Sequence, residues 1–337
     1  MDKSVHYIIG IGRSGSTLLT AILNSHSKIK AIPEIPFSIF FQHSFGSITS
    51  SSEELNGLTI EYLENQQRYR PKDLVDLGVD ILKESFPDYS SYEEYCQVVY
   101  ESISVNQKRL AYEVIVDKNP IYSFHSKSLQ KHNKSGKFLV LVRDPRAQVL
   151  SKRDKQYFSS RDVAFNAFRW RFFQKHIVRI KENSNCKVFL YEALVTDHEN
   201  IIKDMCSFLN VEFEAALLDY DKIDFSKSEI AAPKTDAFAK EHFSGLNRNV
   251  HGAKVDSWKT KLSGKEIKII DGICSKYASQ FGYQAQGKYS AYILLTLSHP
   301  IAYAKALYSV YRERLTYYLP IGIKLKRTIK VNRLRKE

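Results

Sequence analysis

The chain has 337 residues, of which 43% are hydrophobic and 26% charged, and its formal net charge at pH 7 is +13. Its length and composition are ordinary for a soluble globular protein with one large domain, or with one domain and an appendage. The basic excess is compatible with nucleic acid, anionic lipid or an anionic small ligand as a partner. Because no RNA- or DNA-binding motif accompanies it, nucleic acid is not predicted as a partner.

The cysteines indicate neither a disulfide framework nor a zinc site. Cys96, Cys186, Cys206 and Cys274 lie far apart, and none belongs to a C-x-x-C pair. We therefore expect buried free thiols in a reducing compartment. The apolar run at the N-terminus is too short for a signal peptide, and no stretch reaches the ~18 apolar residues that span a membrane. The predicted location is the cytoplasm, with a peripheral position on the inner face of the membrane as a further expectation.

Strand-like and helical patterns alternate over the first 190 residues. The strand-like runs are His6–Ile11, Leu110–Val116, Lys137–Val142 and Lys187–Leu190. Helical patterns separate them, including 62–86 and 163–183. The alternation predicts an α/β fold, a P-loop-type open parallel sheet flanked by helices on both faces. Ligands of such sheets bind beyond the carboxyl ends of the strands, where this chain has Arg13, Asp117-Lys118, Arg143-Asp144 and Tyr191-Glu192.

The loop after the first run is a predicted phosphate cradle. It contains three glycines and leads into an apolar helix, so backbone N–H groups and the helix dipole can bind an anion. From Gly10 to Thr17 the spacing matches a Walker A loop, but Ser16 stands in place of its lysine. ATP or GTP hydrolysis is therefore the weaker interpretation, and Arg13 supplies the cation of the loop.

A second phosphate site is predicted after the third strand-like run. Arg143 follows that run, Pro145 is suited to the first turn of a new helix, and Ser151 falls two turns into it. Two such sites favour a ligand with phosphate-like groups at both ends over a triphosphate.

Several other segments have distinct compositions. Residues 43–57 are predicted to form a surface loop, and the long polar segment 226–257 is predicted to be a lid over the site. Trp170 and Trp258 are expected to pack in the core or the lid. His26 lies near a helix end, where a single histidine more often makes a structural hydrogen bond than acts in catalysis.

The C-terminal segment 288–337 is predicted to be a helical, tyrosine-rich appendage with a basic tail. Residues 289–304 contain no Asp, Glu, Lys or Arg, and residues 324–337 contain seven Lys or Arg and one Glu. Two interpretations remain open. The helices could pack on the core with a solvated tail, or they could form an interfacial segment that contacts an anionic membrane surface.

In their order and spacing, these motifs resemble those of the sulfotransferases that use 3′-phosphoadenosine 5′-phosphosulfate (PAPS) as donor. The similarity is greatest to the branch that contains tyrosylprotein sulfotransferases and many bacterial carbohydrate or lipid sulfotransferases. The matching stretches are 13–19, 143–146 with Ser151, 188–192 with 202–211, and 258–283. The resemblance covers about residues 5–285 and implies a sulfotransferase domain at 1–287.

The resemblance also implies roles for individual residues. The implied donor-binding residues are Arg13, Ser14, Gly15, Ser16, Thr17, Arg143, Ser151, Tyr191 and Lys155. Arg13 and Lys118 would stabilise the transferring group, and Glu34 would be the general base. Another branch uses a histidine after the second strand, but Lys118 is followed here by Asn119, and His26 is kept only as a reserve candidate.

The implied reaction is in-line transfer of a sulfuryl group, without a metal, to a hydroxyl of a carbohydrate or glycolipid. Two alternatives remain from the residues themselves. One is a P-loop kinase of unusual form, and the other is a non-catalytic nucleotide-binding protein that docks on membranes.

Overall fold

The centre of the computed structural model is a parallel β-sheet of five strands within the residues it describes, which are 4–32, 34–68, 70, 72, 75–105, 112–154, 160–219, 255–285 and 287–334. The strands are β1 (Val5–Ile9), β2 (Ile29–Ile32), β3 (Val75–Asp76), β4 (Ser104–Val105), β5 (Val114–Lys118), β6 (Phe138–Val142) and β7 (Cys186–Leu190). The order in the main sheet is β2-β5-β1-β6-β7, and β3 pairs with β4 in a separate antiparallel ladder.

Helices connect the strands and continue beyond the last one. In the described residues they are α1 (Ser16–Asn24), α2 (Phe37–Phe40), α3 (Gln42–Phe45), α4 (Glu53–Gln67), α5 (Val79–Glu84), α6 (Tyr92–Ser102), α7 (Tyr122–His132), α8 (Pro145–Arg153), α9 (Val163–Ile177), α10 (Tyr191–Thr196), α11 (His198–Leu209), α12 (Ser257–Lys261), α13 (Gly264–Ala278), α14 (Tyr289–Ser298), α15 (Pro300–Thr316) and α16 (Ile321–Leu334).

Neighbouring side chains along a strand point to opposite faces of the sheet. Helices bury both faces here. Tyr7 and Val140 belong to the larger core, which includes residues of α4, α6, α7 and α9. Ile8 and Leu139 belong to a second core, formed with α1 and α11. The predicted fold class, an open parallel sheet covered by helices on both faces, is confirmed.

Strand β2 is not predicted by the sequence analysis, because Lys30 interrupts its short apolar run. The structure buries this lysine fully. Its Nζ donates hydrogen bonds to the backbone carbonyls of Tyr100 and Ile103, both at 2.7 Å, so the buried ammonium is well solvated by the backbone. The second predicted strand is also displaced, since β5 ends at Lys118 rather than two residues earlier.

The helix predicted over 62–86 is wrong. Pro71 and Gly78 lie inside that range, and the structure has the end of α4, strand β3 and then α5 there. The predicted loop 43–57 is shorter than expected, because α3 occupies its start and α4 its end. The N-terminus of α4 is capped by Ser52, whose Oγ accepts a hydrogen bond from the N–H of Leu55.

The C-terminal helices pack on the rest of the chain through α15 and, at Leu325, through α16. Ala302, Ala306 and Val310 belong to the larger core, beside α9. Helix α14, by contrast, has no buried residue. The division into domains 1–287 and 288–337 stays a prediction. Most of the predicted lid, 226–254, lies outside the described residues.

Candidate active site

The phosphate cradle predicted at the start of α1 depends on a glycine. Gly15 is the N-cap of α1 and has φ +95°, a left-handed conformation that favours glycine. A Cβ atom at this position would lie 2.3 Å from Cδ2 of Tyr191. The aromatic ring that follows β7 therefore packs directly against the loop that follows β1. Arg13 also has a positive φ, +76°, which is uncommon for a residue with a side chain and typical of functional loops.

The two predicted phosphate sites lie in contact with each other. Arg13 Nε donates a hydrogen bond to Ser151 Oγ at 3.1 Å, and Arg143 Nη1 donates to the carbonyl oxygen of Arg13 at 3.1 Å. The Arg143 guanidinium stacks on Tyr191, 4.2 Å from the ring centroid. Residues that follow β1, β6 and β7 thus meet at the carboxyl edge of the sheet.

A set of hydrogen bonds holds the Arg143 segment in place. Trp170 Nε1 donates to the carbonyl oxygen of Arg143 at 3.2 Å. The N–H of Asp144 donates to Glu192 Oε1 at 3.0 Å, and Tyr283 Oη donates to Glu192 Oε2 at 2.6 Å. Sequence reasoning assigned no such role to these partners, although Glu192 and Tyr283 belong to the motifs that it quoted.

Glu34 and Lys118 form an ion pair beside the start of α1. Lys118 Nζ lies 2.6 Å from Glu34 Oε1 and 3.5 Å from Thr17 Oγ1. The lysine side chain is 3% exposed, whereas that of Glu34 is 49% exposed. The pairing follows from the sheet, because Ile32 of β2 is in register with Asp117 of β5. The two side chains on which the sequence analysis based its catalytic hypothesis are therefore adjacent.

Behind Lys118 lies a buried carboxyl group that the sequence analysis did not interpret. Asp117 is fully buried, and its Oδ2 accepts hydrogen bonds from the hydroxyls of Tyr100 and Tyr122. Burial raises the pKa of Asp117 to about 7, while the two tyrosine hydroxyls and Lys118 act in the opposite direction. Asp117 and its tyrosines fix the end of β5, from which Lys118 projects.

This raised pKa predicts a pH-dependent stability. In the unfolded chain the carboxyl has its ordinary pKa of 3.8, so the folded state holds the proton more tightly between about pH 4 and 7. The stabilising contribution is complete below about pH 4 and is lost as the pH rises through about 7. It amounts to at most about 4 kcal/mol, at ~1.4 kcal/mol per pKa unit. Asp117→Asn cannot ionise and should lack this decline.

The measurement is the free energy of unfolding by denaturant at about pH 5 and about pH 8. The difference between the parent protein and Asp117→Asn should shrink between these values, whereas Asp88→Asn, at an exposed position, should follow the parent. Parallel curves for the parent and Asp117→Asn would show that the carboxyl is ionised throughout.

The other predicted site residues have the following places. Ser14 is fully buried, its N–H donates to the carbonyl of Ile11, and its hydroxyl lies inside the loop. Ser16 is the first residue of α1. His26 is buried, with Nε2 2.7 Å from the carbonyl oxygen of Glu212, which is a structural contact. Lys155 lies outside the described residues. All four cysteines are buried and free, as predicted.

Two further absences apply to the described part of the chain. It contains no group of three or more His, Cys, Asp or Glu side chains placed to hold a metal ion. None of its helices is long and apolar enough to cross a membrane.

The structure brings the two predicted phosphate sites and a lysine–carboxylate pair together at the carboxyl edge of a parallel sheet, where ligands of such sheets bind. This arrangement is typical of an enzyme that transfers a group from an anionic ligand. The sequence profile of the sulfotransferase family matches residues 7–215, which is more than half of the chain. The chain belongs to the sulfotransferase family.

Solved structures agree with this assignment at the level of the fold. The sulfotransferase domain of the olefin synthase from Synechococcus PCC 7002 has a TM-score of 0.54 and 19% sequence identity, covering 84% of this chain and 97% of that domain. The sulfotransferase domain of the curacin biosynthetic pathway has a TM-score of 0.52 and 20% identity, covering 84% and 99%. Among curated protein sequences, none matches the chain significantly. The predicted enzyme class, a PAPS-dependent sulfotransferase, is confirmed by family and fold.

Proposed function

We propose that this enzyme transfers a sulfuryl group from PAPS to a hydroxyl group of a carbohydrate or glycolipid. The observation that carries the proposal is the buried Lys118, paired with the half-exposed Glu34 beside the start of α1. A cation that can stabilise the moving group and a carboxylate that can accept a proton then stand next to the phosphate cradle.

The residues present fit a donor that carries phosphate at both ends of its nucleoside. Backbone N–H groups at the start of α1, with Arg13 and Thr17, would bind the 5′-phosphosulfate. Arg143 and Ser151 would bind the 3′-phosphate. The Nε of Arg143 is buried and has no hydrogen-bond partner among the described residues, which supports a role in binding an anion. Tyr191, already stacked on this guanidinium, would lie beside the nucleotide.

The ion pair suggests how the residues change partners during the reaction. Without donor, Glu34 neutralises Lys118. When a sulfonate lies against Lys118 and Thr17, the ammonium gains a second anionic partner, and its hold on Glu34 weakens. Glu34 then accepts the proton of the acceptor hydroxyl as the acceptor oxygen bonds to sulfur. The sulfur–oxygen bond to the 5′-phosphate breaks, and 3′-phosphoadenosine 5′-phosphate leaves with the electron pair, next to Arg13.

Both alternatives to this function receive less support from the site. A P-loop kinase needs a lysine in the glycine-rich loop, and Ser16 stands there. A non-catalytic nucleotide-binding protein would not need a half-exposed glutamate beside the lysine and the phosphate cradle, whereas a transfer reaction needs both a proton acceptor and a cation there.

Calorimetry with two nucleotides tests the proposal. The enzyme should bind 3′-phosphoadenosine 5′-phosphate at least about tenfold more tightly than ATP with Mg²⁺, since a tenfold ratio needs only ~1.4 kcal/mol and the second phosphate has its own arginine. A preference for ATP would overturn the sulfotransferase proposal and favour the kinase.

The proposal includes an anionic membrane surface as a partner, through residues 289–337. Of the twelve exposed large hydrophobic side chains in the described residues, all but Ile81 lie at 289–331. We call them the C-terminal apolar surface; its members are Tyr289, Ile293, Leu294, Leu297, Ile301, Tyr308, Tyr311, Leu315, Tyr318, Ile323 and Val331. Residues 289–337 also contain ten Lys or Arg against two Glu. Apolar side chains with a cationic surround are the pattern of an interfacial helix on anionic lipid.

A double substitution tests this partner. Leu294 and Leu297 are 66% and 72% exposed, so Leu294→Asp/Leu297→Asp should leave the fold intact. We expect co-sedimentation with vesicles of phosphatidylcholine and phosphatidylglycerol to fall at least about tenfold, because two anchoring side chains and the charge balance are lost together. Ile81→Asp, at the exposed hydrophobic residue outside this surface, is the control. Equal sedimentation of all three proteins would rule out the membrane as partner.

A further inference from the structure

A cavity of about 170 Å³ lies between α3, α7 and the C-terminal end of α15, and no residue of the candidate active site lines it. At about 30 Å³ for each water, it has room for a small polar group and the first atoms attached to it. Its walls include His43, His125, Lys131, His132 and Tyr318. Among the described residues that line it, none is Asp or Glu, so no acidic side chain would repel an anion in the cavity.

His125 is a buried polar residue that lines this cavity. The residue is 5% exposed, and its Nε2 is buried and has no hydrogen-bond partner among the described residues. Its ring is held against Tyr317 and Tyr318, with centroids 5.1 and 6.0 Å away. A buried ring nitrogen without a partner costs free energy, and it would gain a partner if the ring turned toward a ligand in the cavity.

Positive groups surround His125 from several helices. Burial, and to a smaller extent the neighbouring Arg314, His176 and Lys324, lowers the pKa of His125 to about 3. The imidazole is therefore neutral and can donate a hydrogen bond from one nitrogen. Lys131, by contrast, is exposed and also lines the cavity. This combination of a buried neutral donor and an exposed cation suits an anion that enters from solvent or from a surface.

We propose that this cavity binds the phosphate group of a phosphomonoester. A terminal phosphate has three oxygens that accept hydrogen bonds, so Lys131, His43 and His125 can each have one, whereas a carboxylate has only two. The phosphate can belong to a soluble metabolite or to the headgroup of an anionic lipid. The position of the cavity suits a lipid headgroup, because Tyr318 belongs both to the cavity wall and to the C-terminal apolar surface. The site does not depend on the proposed sulfuryl transfer.

Titration of the full chain with glycerol 3-phosphate tests the soluble source, with the imidazole signals of the histidines followed by NMR. This readout is local, so binding at the candidate active site does not imitate it; His125→Gln assigns the His125 signal. We expect His43 and His125 to shift together in the parent protein, and Lys131→Gln to weaken the binding about tenfold, as loss of one charge-assisted hydrogen bond would. Lys127→Gln removes an exposed lysine one turn away on the same helix, outside the cavity, and should bind like the parent.

Sedimentation with vesicles that contain phosphatidic acid tests the lipid source, with phosphatidylglycerol vesicles as the diester comparison. If Lys131→Gln reduces binding only to phosphatidic acid, and Lys127→Gln does not, the cavity binds a lipid headgroup. If only the NMR titration depends on Lys131, the ligand is soluble. If neither experiment distinguishes Lys131→Gln from Lys127→Gln, the proposal is wrong. Since Lys131 is exposed, a folding failure of His125→Gln does not prevent this decision.

Discussion

Glu34→Gln is expected to lower kcat for sulfuryl transfer by about 100- to 10,000-fold, the range for loss of a general base. The amide keeps the size of the side chain and can still accept a hydrogen bond from Lys118, but it cannot take a proton from the acceptor. Since the residues proposed to bind the two phosphates are unchanged, binding of 3′-phosphoadenosine 5′-phosphate should change less than about threefold. Single-turnover rates and calorimetry measure the two effects separately.

The matched control is another half-exposed glutamate paired with a lysine. Glu64 pairs with Lys83 on the surface of α4 and α5, where their side chains are 34% and 51% exposed. Glu64→Gln should keep full activity. If Glu34→Gln retained the parent rate with a bound donor, the proton would have to go to another group, and the role of Glu34 would be reduced to neutralising Lys118.

Arg143→Gln is expected to weaken binding of 3′-phosphoadenosine 5′-phosphate by about 10- to 100-fold, because a hydrogen bond to a charged group contributes ~1.5–3 kcal/mol. The same substitution should leave adenosine 5′-phosphate almost unaffected, since that ligand lacks the 3′-phosphate. Calorimetry with both ligands on both proteins gives the coupling between this side chain and that phosphate.

Helix α8 offers a control for the loss of charge. Arg153 is the last residue of α8, the helix that follows Arg143, and its Nη1 is 2.8 Å from Glu266 Oε1, so its charge is already paired. Arg153→Gln should bind both nucleotides like the parent. Should Arg143→Gln weaken the two nucleotides equally, the arginine would support the glycine-rich loop, through the carbonyl of Arg13, rather than the 3′-phosphate.

Much of the fold follows from local sequence patterns, and the predictions that were wrong have local causes. Apolar runs predict β1 and β6 well, because a strand buried on both faces needs nearly every side chain to be apolar. The edge strand β7 is also predicted, although three of its five residues are only partly buried. Strand β2 escapes this rule, since Lys30 satisfies its charge with backbone carbonyls of a distant helix end. The helix predicted over 62–86 is wrong because the prediction gave no weight to Pro71 and Gly78. The structure has β3 between α4 and α5 in this range.

The candidate site also has parts that the sequence predicts and parts that it does not. The cradle at Gly15 and the segment that begins at Arg143 are predictable, because each is a strand followed by a loop and a helix start within a few residues. The hydrogen bonds that hold the Arg143 segment, which Trp170 and Tyr283 donate and Glu192 accepts, are not predictable, since they join residues that are distant in sequence.

By itself, the sequence determined which chemical groups end the strands: an arginine in a glycine-rich loop, a lysine, and an arginine before a helix. These depend on a few consecutive residues and their backbone preferences. Only the tertiary structure decided that Glu34 pairs with Lys118, because β2 lies beside β5 in the sheet, and that a histidine-lined cavity forms under Tyr317 and Tyr318. Strand order and helix packing are set by the burial of the whole core, and no local pattern encodes them.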